Sequence, residues 1–203
     1  MAAGALVAYA WPGGAEILIY DRAALAHGEA WRLLSGHLVH YSAGHLLANL
    51  ALVAPVALLV ELRYRRDFVW LLLATALAIG CALFLQRPEI VEYAGLSGVA
   101  LAFLVYACLR GLHEQRRWRI VCAAVLAVVC AKLWAESVWG WSVRDWRGTD
   151  AFVSVALSHL LGAATGAALY CVRVASPGWR RASRQPPRYR PERVRRRALP
   201  EVD

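Results

Sequence analysis

The sequence has few charged residues, and this scarcity excludes several classes of protein. Charged side chains make up 18% of its 203 residues, against roughly 25% in typical soluble domains, while apolar residues make up 60%. A disordered chain, a collagen-like repeat and an ordinary soluble enzyme all have other compositions. The composition predicts an all-α, polytopic membrane protein.

The sequence also lacks any cysteine pattern that indicates a disulfide framework or a metal site. Its five cysteines lie in apolar runs, and none has a CxxC or Cys/His ligand spacing. We interpret them as small apolar packing residues, and we expect no metal and no other cofactor. They are Cys81, Cys108, Cys122, Cys130 and Cys171.

The basic excess is confined to one end of the chain. The formal net charge is +9, and the segment from Arg173 to Asp203 alone carries +7, from ten Arg and three acids. A basic tail is not a basic groove, so nucleic-acid binding is not expected. We predict that residues 175–203, rich in Arg and Pro, form a disordered cytoplasmic tail attracted to anionic lipid.

Residues 1–174 are predicted to form a six-helix membrane domain. Four of the six apolar stretches run 17 to 22 residues without a charge, and about 20 helical residues span the hydrocarbon core. The first stretch, although interrupted by Pro12-Gly13-Gly14, is taken as a retained helix. It has no Lys or Arg, unlike a signal peptide. The stretches are Ala2–Tyr20, Ser42–Val60, Phe68–Leu85, Tyr93–Leu109, Ile120–Ala135 and Ala151–Val172.

Basic residues in the short loops predict the orientation. The loops after the second and fourth stretches and the tail are rich in Arg, whereas the opposite loops balance Arg with acids. By the positive-inside rule both termini are cytoplasmic. Trp134, Trp139, Trp141 and Trp146 are then expected in an aromatic belt at the outer interface. Lys132 and Glu136, four residues apart, are expected to pair at that interface.

Few strongly polar residues lie inside the predicted spans, and such residues are functional candidates. Helical rise places Ser97 and His159 each ~12 Å below the outer face, and Asn49 ~10 Å below it, with His45 one turn higher. A Ser hydroxyl with a His base can perform acyl transfer, with Asn, His and backbone donors holding the oxyanion. No intramembrane Asp or Glu is placed to orient the imidazole, so a dyad is expected.

Glycines accompany these polar residues. Gly95 and Gly98 flank Ser97 and permit a sharp turn. Gly162 and Gly166 follow His159 on its helix face and permit close approach to a neighbouring helix, in our interpretation the fourth. Each motif alone has a simpler interpretation, because small residues pack membrane helices and a single His can tie two helices together. His37, His40 and Arg32, in the outer loop, are interpreted as holding that loop.

Together these motifs resemble those of the rhomboid intramembrane serine proteases. His45-Leu-Leu-Ala-Asn49 is similar to their HxxxN motif, Gly95-Leu-Ser97-Gly98 to GxSG, and the run from His159 to Gly166 to HxxGxxxG. The resemblance implies a Ser97–His159 dyad, with His45, Asn49 and the Ser97 backbone amide forming the oxyanion hole. Many rhomboids carry an aromatic ring four residues after the nucleophile, where this sequence has Leu101.

The segments that begin at Tyr20-Asp21-Arg22 and at Trp31-Arg32 resemble the rhombosortase branch of that family. This resemblance implies a multi-pass protease of the bacterial inner membrane, with an active site open to the periplasm. It implies substrates with a C-terminal Gly-Gly motif, an apolar anchor and a basic cluster. The alternatives are a general rhomboid protease, a non-catalytic binder of membrane helices, and a small transporter. A transporter would need a polar pathway to the cytoplasmic face, which the spans lack.

Overall fold

The computed structural model describes residues 1–139 and 156–176, and these residues are mostly helical. The chain divides into two units, Met1–Cys171 and Val172–Asp203. Of the second unit the structure describes the last residues of the final helix and Ser176, whose hydroxyl donates to the Arg173 carbonyl at 2.6 Å. The predicted tail from 177 onward and the predicted helix start at Ala151 lie outside the described residues. The elements are α1 (Ala2–Ala10), α2 (Gly14–Leu18), β1 (Tyr20–Asp21), α3 (Arg22–Ala26), α4 (Arg32–Ser35), a 3₁₀ turn (Gly36–Leu38), α5 (Ala43–Gln86), β2 (Glu92–Tyr93), α6 (Ser97–Gly111), α7 (Arg116–Trp139) and α8 (Ala156–Ala175).

The first predicted helix, residues 2–20, is two short helices in the structure. α1 has nine residues, about 14 Å, which is less than half of the hydrocarbon thickness. The chain turns at Pro12 and at Gly13, which has a positive φ of 74°. Pro lacks a backbone N–H and Gly tolerates the left-handed region, so the pair separates α1 from α2.

α5 joins the second and third predicted helices, 42–60 and 68–85, with a single non-helical residue at Tyr64. The predicted loop between them is therefore much shorter than the charges suggested. The first arm of α5, before Tyr64, runs parallel to α6. His45 lies beside Gly95, and Val60 belongs to one cluster with Tyr106. The arm after Tyr64 runs antiparallel to α6, because Phe68 contacts Phe103 and Ile79 lies against Gly98.

α6 lies between the two arms of α5 and has the most buried face of the described helices. Leu96, Val99, Phe103 and Tyr106 are fully buried. The helix begins at Ser97 itself and not at residue 93, because Tyr93 belongs to β2, which pairs antiparallel with β1. Ser97 therefore lies at the start of a helix, where a backbone N–H has no acceptor within the helix.

Three described helices are long and apolar enough to cross a membrane, namely α5, α7 and α8, and α5 contains two arms. α6 is apolar but shorter. α7 extends at both ends beyond the predicted 120–135, because charged residues can continue a helix past the apolar core. Trp134 and Trp139 form an edge contact with ring centroids 4.7 Å apart, whereas Trp141 and Trp146 lie outside the described residues.

Candidate active site

The turn before Ser97 is held by the segment that precedes α5. Gly95 has a φ of 126°, a conformation that L side chains rarely adopt. Its N–H donates to the Gly36 carbonyl at 3.3 Å, and its own carbonyl accepts from the Tyr93 hydroxyl at 3.3 Å. His37 bridges the same region, with Nε2 3.1 Å from the Ala76 carbonyl oxygen. These contacts fix the backbone that presents Ser97.

Buried groups in the segment before α5 have structural partners. Burial lowers the pKa of His37 and of His40, because desolvation disfavours the charged imidazole. Arg32 donates to the Glu29 carboxylate at 2.7 Å and to the Ile19 carbonyl at 2.8 Å. Desolvation raises the pKa of Tyr93 to about 12, so this phenol stays protonated as a donor. Arg32, His37 and His40 therefore occupy loop-holding positions.

The structure places His159 on α8 against Ser97 at the start of α6. Nε2 of His159 lies 2.9 Å from Oγ of Ser97. The His159 residue is 6% exposed. A hydroxyl and an imidazole at this distance have the geometry that general-base activation of a nucleophile requires.

Glycines bring α6 and α8 close enough for this contact. A Cβ on Gly162 would lie 2.0 Å from the Gly98 carbonyl oxygen, and one on Gly166 would lie 2.4 Å from the Ala102 carbonyl oxygen. A Cβ on Gly98 would lie 2.6 Å from the Ser158 carbonyl oxygen. The two backbones touch along one face, as small residues allow in membrane helices. Any larger residue would push His159 away from Ser97.

The expectation that no acidic residue reaches His159 is wrong. Glu136 on α7 lies with Oε2 2.9 Å and Oε1 3.0 Å from Nδ1 of His159, and Glu136 is 5% exposed. Lys132 pairs with it as expected, Nζ to Oε1 at 2.5 Å, and Nζ also lies 3.0 Å from His159 Nδ1. The charges of Lys132 and Glu136 predict that the span ends at Ala135, but α7 continues to Trp139 and turns Glu136 inward.

His45 and Asn49 lie on the first arm of α5. The His45 ring packs on the turn before Ser97, since a Cβ on Gly95 would lie 2.9 Å from its Cε1 and 3.1 Å from its Nε2. Asn49 is buried, and its Nδ2 donates to the His45 carbonyl at 3.0 Å, within its own helix. The structure thus brings His45 to the site, while an oxyanion contact from Asn49 remains a prediction.

Leu101 lies one turn beyond Ser97, at the position where many rhomboids have a ring. It packs in an apolar cluster with Val105 and Val129, between α6 and α7. The described groups within hydrogen-bond distance of the imidazole are Ser97, Glu136 and Lys132. In this chain the Glu136 carboxylate contacts the imidazole of His159. Within residues 1–139 and 156–176 no cluster of His, Cys, Asp or Glu could hold a metal ion.

Residues 27–176 match the family signature described as Rhomboid domain. This segment is most of the chain and includes α4 to α8, so the chain belongs to the rhomboid family. A comparison with curated protein sequences gave no match. Members of the family are intramembrane serine proteases that act on transmembrane substrates, and some members are inactive. The apolar helices and the family together make this a membrane protein.

Residues beyond the motifs complete the site. Glu136, Tyr93 and His37 each contact a motif residue or its turn. Sequence reasoning assigned His37 to loop structure and placed Glu136 at the interface. The one available signal for Glu136 was its helical register with Lys132 and Val129, which predicts that all three share a face of α7.

Proposed function

We propose that this protein is an intramembrane serine endopeptidase in which Ser97 is the nucleophile and His159 the general base. The observation that carries the proposal is the 2.9 Å contact between Ser97 Oγ and His159 Nε2, in a chain of the rhomboid family. A non-catalytic membrane-helix binder would have no need of this contact, which favours the enzyme over that alternative.

The reaction follows from these two groups. His159 Nε2 takes the Ser97 hydroxyl proton while Oγ attacks the scissile carbonyl carbon, giving a tetrahedral oxyanion. Collapse breaks the C–N bond, and the imidazolium gives its proton to the leaving amine. Water, activated by the same imidazole, then hydrolyses the acyl ester and frees Ser97. Hydrolysis therefore needs no metal and no organic cofactor.

The start of α6 supplies donors for the oxyanion. The first N–H groups of a helix have no acceptor within the helix, and the dipole favours negative charge there. Ser97 is the first residue of α6, so its N–H is such a donor. His45 packs on the adjoining turn. We assign Ser97 N–H, His45 and Asn49 to the oxyanion hole.

An apolar cavity offers a place for a substrate's membrane segment. It has a volume of about 350 Å³ and lies between the first arm of α5, α6 and α7, with Lys132 among its lining residues. A substrate helix must unwind before its carbonyl can be attacked, because helical hydrogen bonds shield the backbone. Gly costs a helix ~1 kcal/mol relative to Ala, so Gly near the anchor makes unwinding easier.

We propose substrates with a C-terminal Gly-Gly motif, an apolar anchor and a basic cluster, cut near the outer end of the anchor. The resemblance to rhombosortases supports this choice, and a general rhomboid protease with other transmembrane substrates is the alternative. Basic loops support a multi-pass position in a bacterial inner membrane with both termini cytoplasmic and the site open to the periplasm. The tail from 175 would contact anionic lipid.

Co-expression with a Gly-Gly substrate tests both levels of the proposal. The wild-type protein should release a product whose new C-terminus, read by mass spectrometry, lies at the Gly-rich junction, and Ser97→Ala should release none. Ser137→Ala, an exposed hydroxyl on α7 bonded to its own helix, is the matched control. Full cleavage by Ser97→Ala would refute the protease. Cleavage unaffected by replacing both glycines with Leu would refute only the rhombosortase substrate.

Reporter fusions test the orientation. Fusions after Arg65, Arg117 and Arg190 should report the cytoplasm, and fusions at Glu89 and Arg144 should report the periplasm, because basic short loops stay inside. A periplasmic report at Arg117 would place Ser97 on the wrong side for the proposed substrates.

A further inference from the structure

Glu136 is a buried carboxylate that the two-residue mechanism does not use. It is 5% exposed and reaches His159 Nδ1 with both oxygens, at 2.9 and 3.0 Å. A carboxylate buried in a membrane helix is costly, and such residues usually face a functional interior. The cost is offset here by two partners, His159 and Lys132.

We propose that Glu136 is the positioning residue of a Ser97–His159–Glu136 relay, which holds the imidazole in its productive tautomer and stabilises the imidazolium during acyl transfer. This role rests on the proposed protease function. A two-residue mechanism leaves the imidazole to be oriented by packing alone.

The tautomer follows from the donors and acceptors. An ionised carboxylate has no proton to donate, so the His159–Glu136 contact requires a hydrogen on Nδ1. A neutral imidazole has one such hydrogen, and Nε2 is therefore bare and accepts the Ser97 hydroxyl. If Lys132 donated to Nδ1 instead, Nε2 would carry the hydrogen and could not act as base.

The Lys132 ammonium has another acceptor, the Glu136 carboxylate, and need not donate to Nδ1. The Lys132 side chain is 38% exposed and so is not enclosed around Nδ1, and Nζ bonds Glu136 Oε1 at 2.5 Å, so the carboxylate accepts from it. Glu136 has lone pairs for both partners. The geometry therefore assigns Nδ1–H to Glu136, with Lys132 as a neighbouring cation that limits the charge left in the site.

During catalysis the proton that leaves Ser97 is carried by His159 Nε2 alone. His159 Nε2 takes the Ser97 proton, Nδ1 keeps its own, and Glu136 remains ionised beside the imidazolium. The proton on Nε2 then leaves with the amine. No further reactant is required.

Steady-state kinetics with a cleavable transmembrane substrate test the role. Glu136→Gln keeps the size of the side chain but loses the charge and can present an NH₂ to Nδ1, which favours the wrong tautomer. We expect kcat to fall by ~10²- to 10⁴-fold with KM changed by less than about three-fold, as for other carboxylates behind a catalytic His. Glu136→Asp should recover part of the loss, because it restores the charge. Glu114→Gln, which breaks an exposed pair with Arg63, is the matched control and should stay within about two-fold of wild type.

The pH profile separates positioning from a structural ion pair. Ser97, Glu136 and Lys132 are the described polar groups that face His159. Removing the anion should move the acid limb of the kcat profile to lower pH in Glu136→Gln, and removing the cation should move it to higher pH in Lys132→Met. A structural pair between Lys132 and Glu136 would give no such opposite shifts.

Ring-¹⁵N histidine NMR of the full-length protein in detergent gives a readout that does not depend on activity. The His159 signal, assigned by its loss in His159→Gln, should show a hydrogen on Nδ1 and a bare Nε2. A hydrogen on Nε2, or a Glu136→Gln variant with wild-type kcat, would overturn the role of Glu136 and leave the protease standing. Absence of Ser97-dependent cleavage by the wild-type protein would instead overturn the protease.

Discussion

The two ends of α6 each lie near a buried carboxylate from another helix, but the partners of these carboxylates differ. At the N-terminal end Glu136 faces an imidazole, which exchanges protons near neutral pH. At the C-terminal end Asp67 accepts a hydrogen bond from the Tyr106 hydroxyl, and a phenol keeps its proton there. Arg110 stacks on the Tyr64 ring, 3.9 Å from its centroid, beside that pair.

The comparison shows that a buried charge alone does not identify a functional site. The Asp67 end closes the hairpin of α5 at its break, through the hydrogen bond from the Tyr106 hydroxyl to the carboxylate. The Glu136 end combines a hydroxyl, an imidazole and a carboxylate in sequence, at a helix end that presents backbone N–H groups. We therefore expect changes at the first end to alter stability and changes at the second end to alter chemistry.

The largest effect is expected from His159→Ala. Without the base, Ser97 cannot lose its proton, and cleavage should fall by on the order of 10⁴-fold or more. The thermal midpoint in detergent should change little. The measurement is cleavage by purified protein, with His27→Ala, an exposed His directly after the short helix α3, as control. If His159→Ala still cleaved the substrate, the end of α6 near Glu136 would not be the chemical end, and the contrast with the Asp67 end would be wrong.

A smaller loss of activity is expected from Asn49→Ala. One oxyanion donor is worth ~10²–10³ in rate, and the Ser97 N–H and His45 remain. The fall should appear in kcat more than in KM, since the oxyanion exists only after attack. An unchanged kcat would leave the Asn49 amide as a helix-bonding group alone, as its hydrogen bond to the His45 carbonyl allows.

Asp67→Ala should act on stability. Removing the acceptor leaves the buried Tyr106 hydroxyl to find another partner, at a cost of about 1–3 kcal/mol. Reversible unfolding in mixed detergent should show this loss, while kcat per folded molecule stays close to wild type. Glu61→Ala, at an exposed position of α5, should change neither. A loss of kcat in folded Asp67→Ala would show that the two ends are coupled.

The smallest effect is expected from pH acting on His37, in the segment before α5. Burial lowers the pKa of His37 in the folded protein, so the unfolded chain binds more protons as the pH drops. Stability is then full above the unfolded value of about 6.5 and declines as the pH falls through the folded pKa. Across this range the thermal midpoint of His37→Gln should vary less with pH than that of the wild type. The midpoint of His27→Gln should vary with pH as in the wild type. A wild-type midpoint independent of pH would contradict the burial.

Motif spacing predicts which helices carry the reactive groups, but the prediction from charges ends the fifth span at Ala135, whereas α7 continues to Trp139. With charges as span boundaries, the sequence predicts that Glu136 lies outside the span and that the imidazole belongs to a dyad. A helix can continue through charged residues when they have partners, and Glu136 has two. The sequence did not predict that the break is confined to Tyr64, because a single non-helical residue has no distinct composition.

The sequence by itself determined that this is a helical membrane protein of the rhomboid family, because long apolar runs must form spans and the three motifs have fixed spacings along their helices. It also predicted Ser97 and His159 as the reactive pair. Only the tertiary structure decided that Ser97 opens α6, that glycine contacts bring α8 against it, and that Glu136 turns toward His159. The contacts of His159 with Glu136 and with Ser97 join residues 23 and 62 positions apart, and the packing of whole helices, rather than any local pattern, sets such distances.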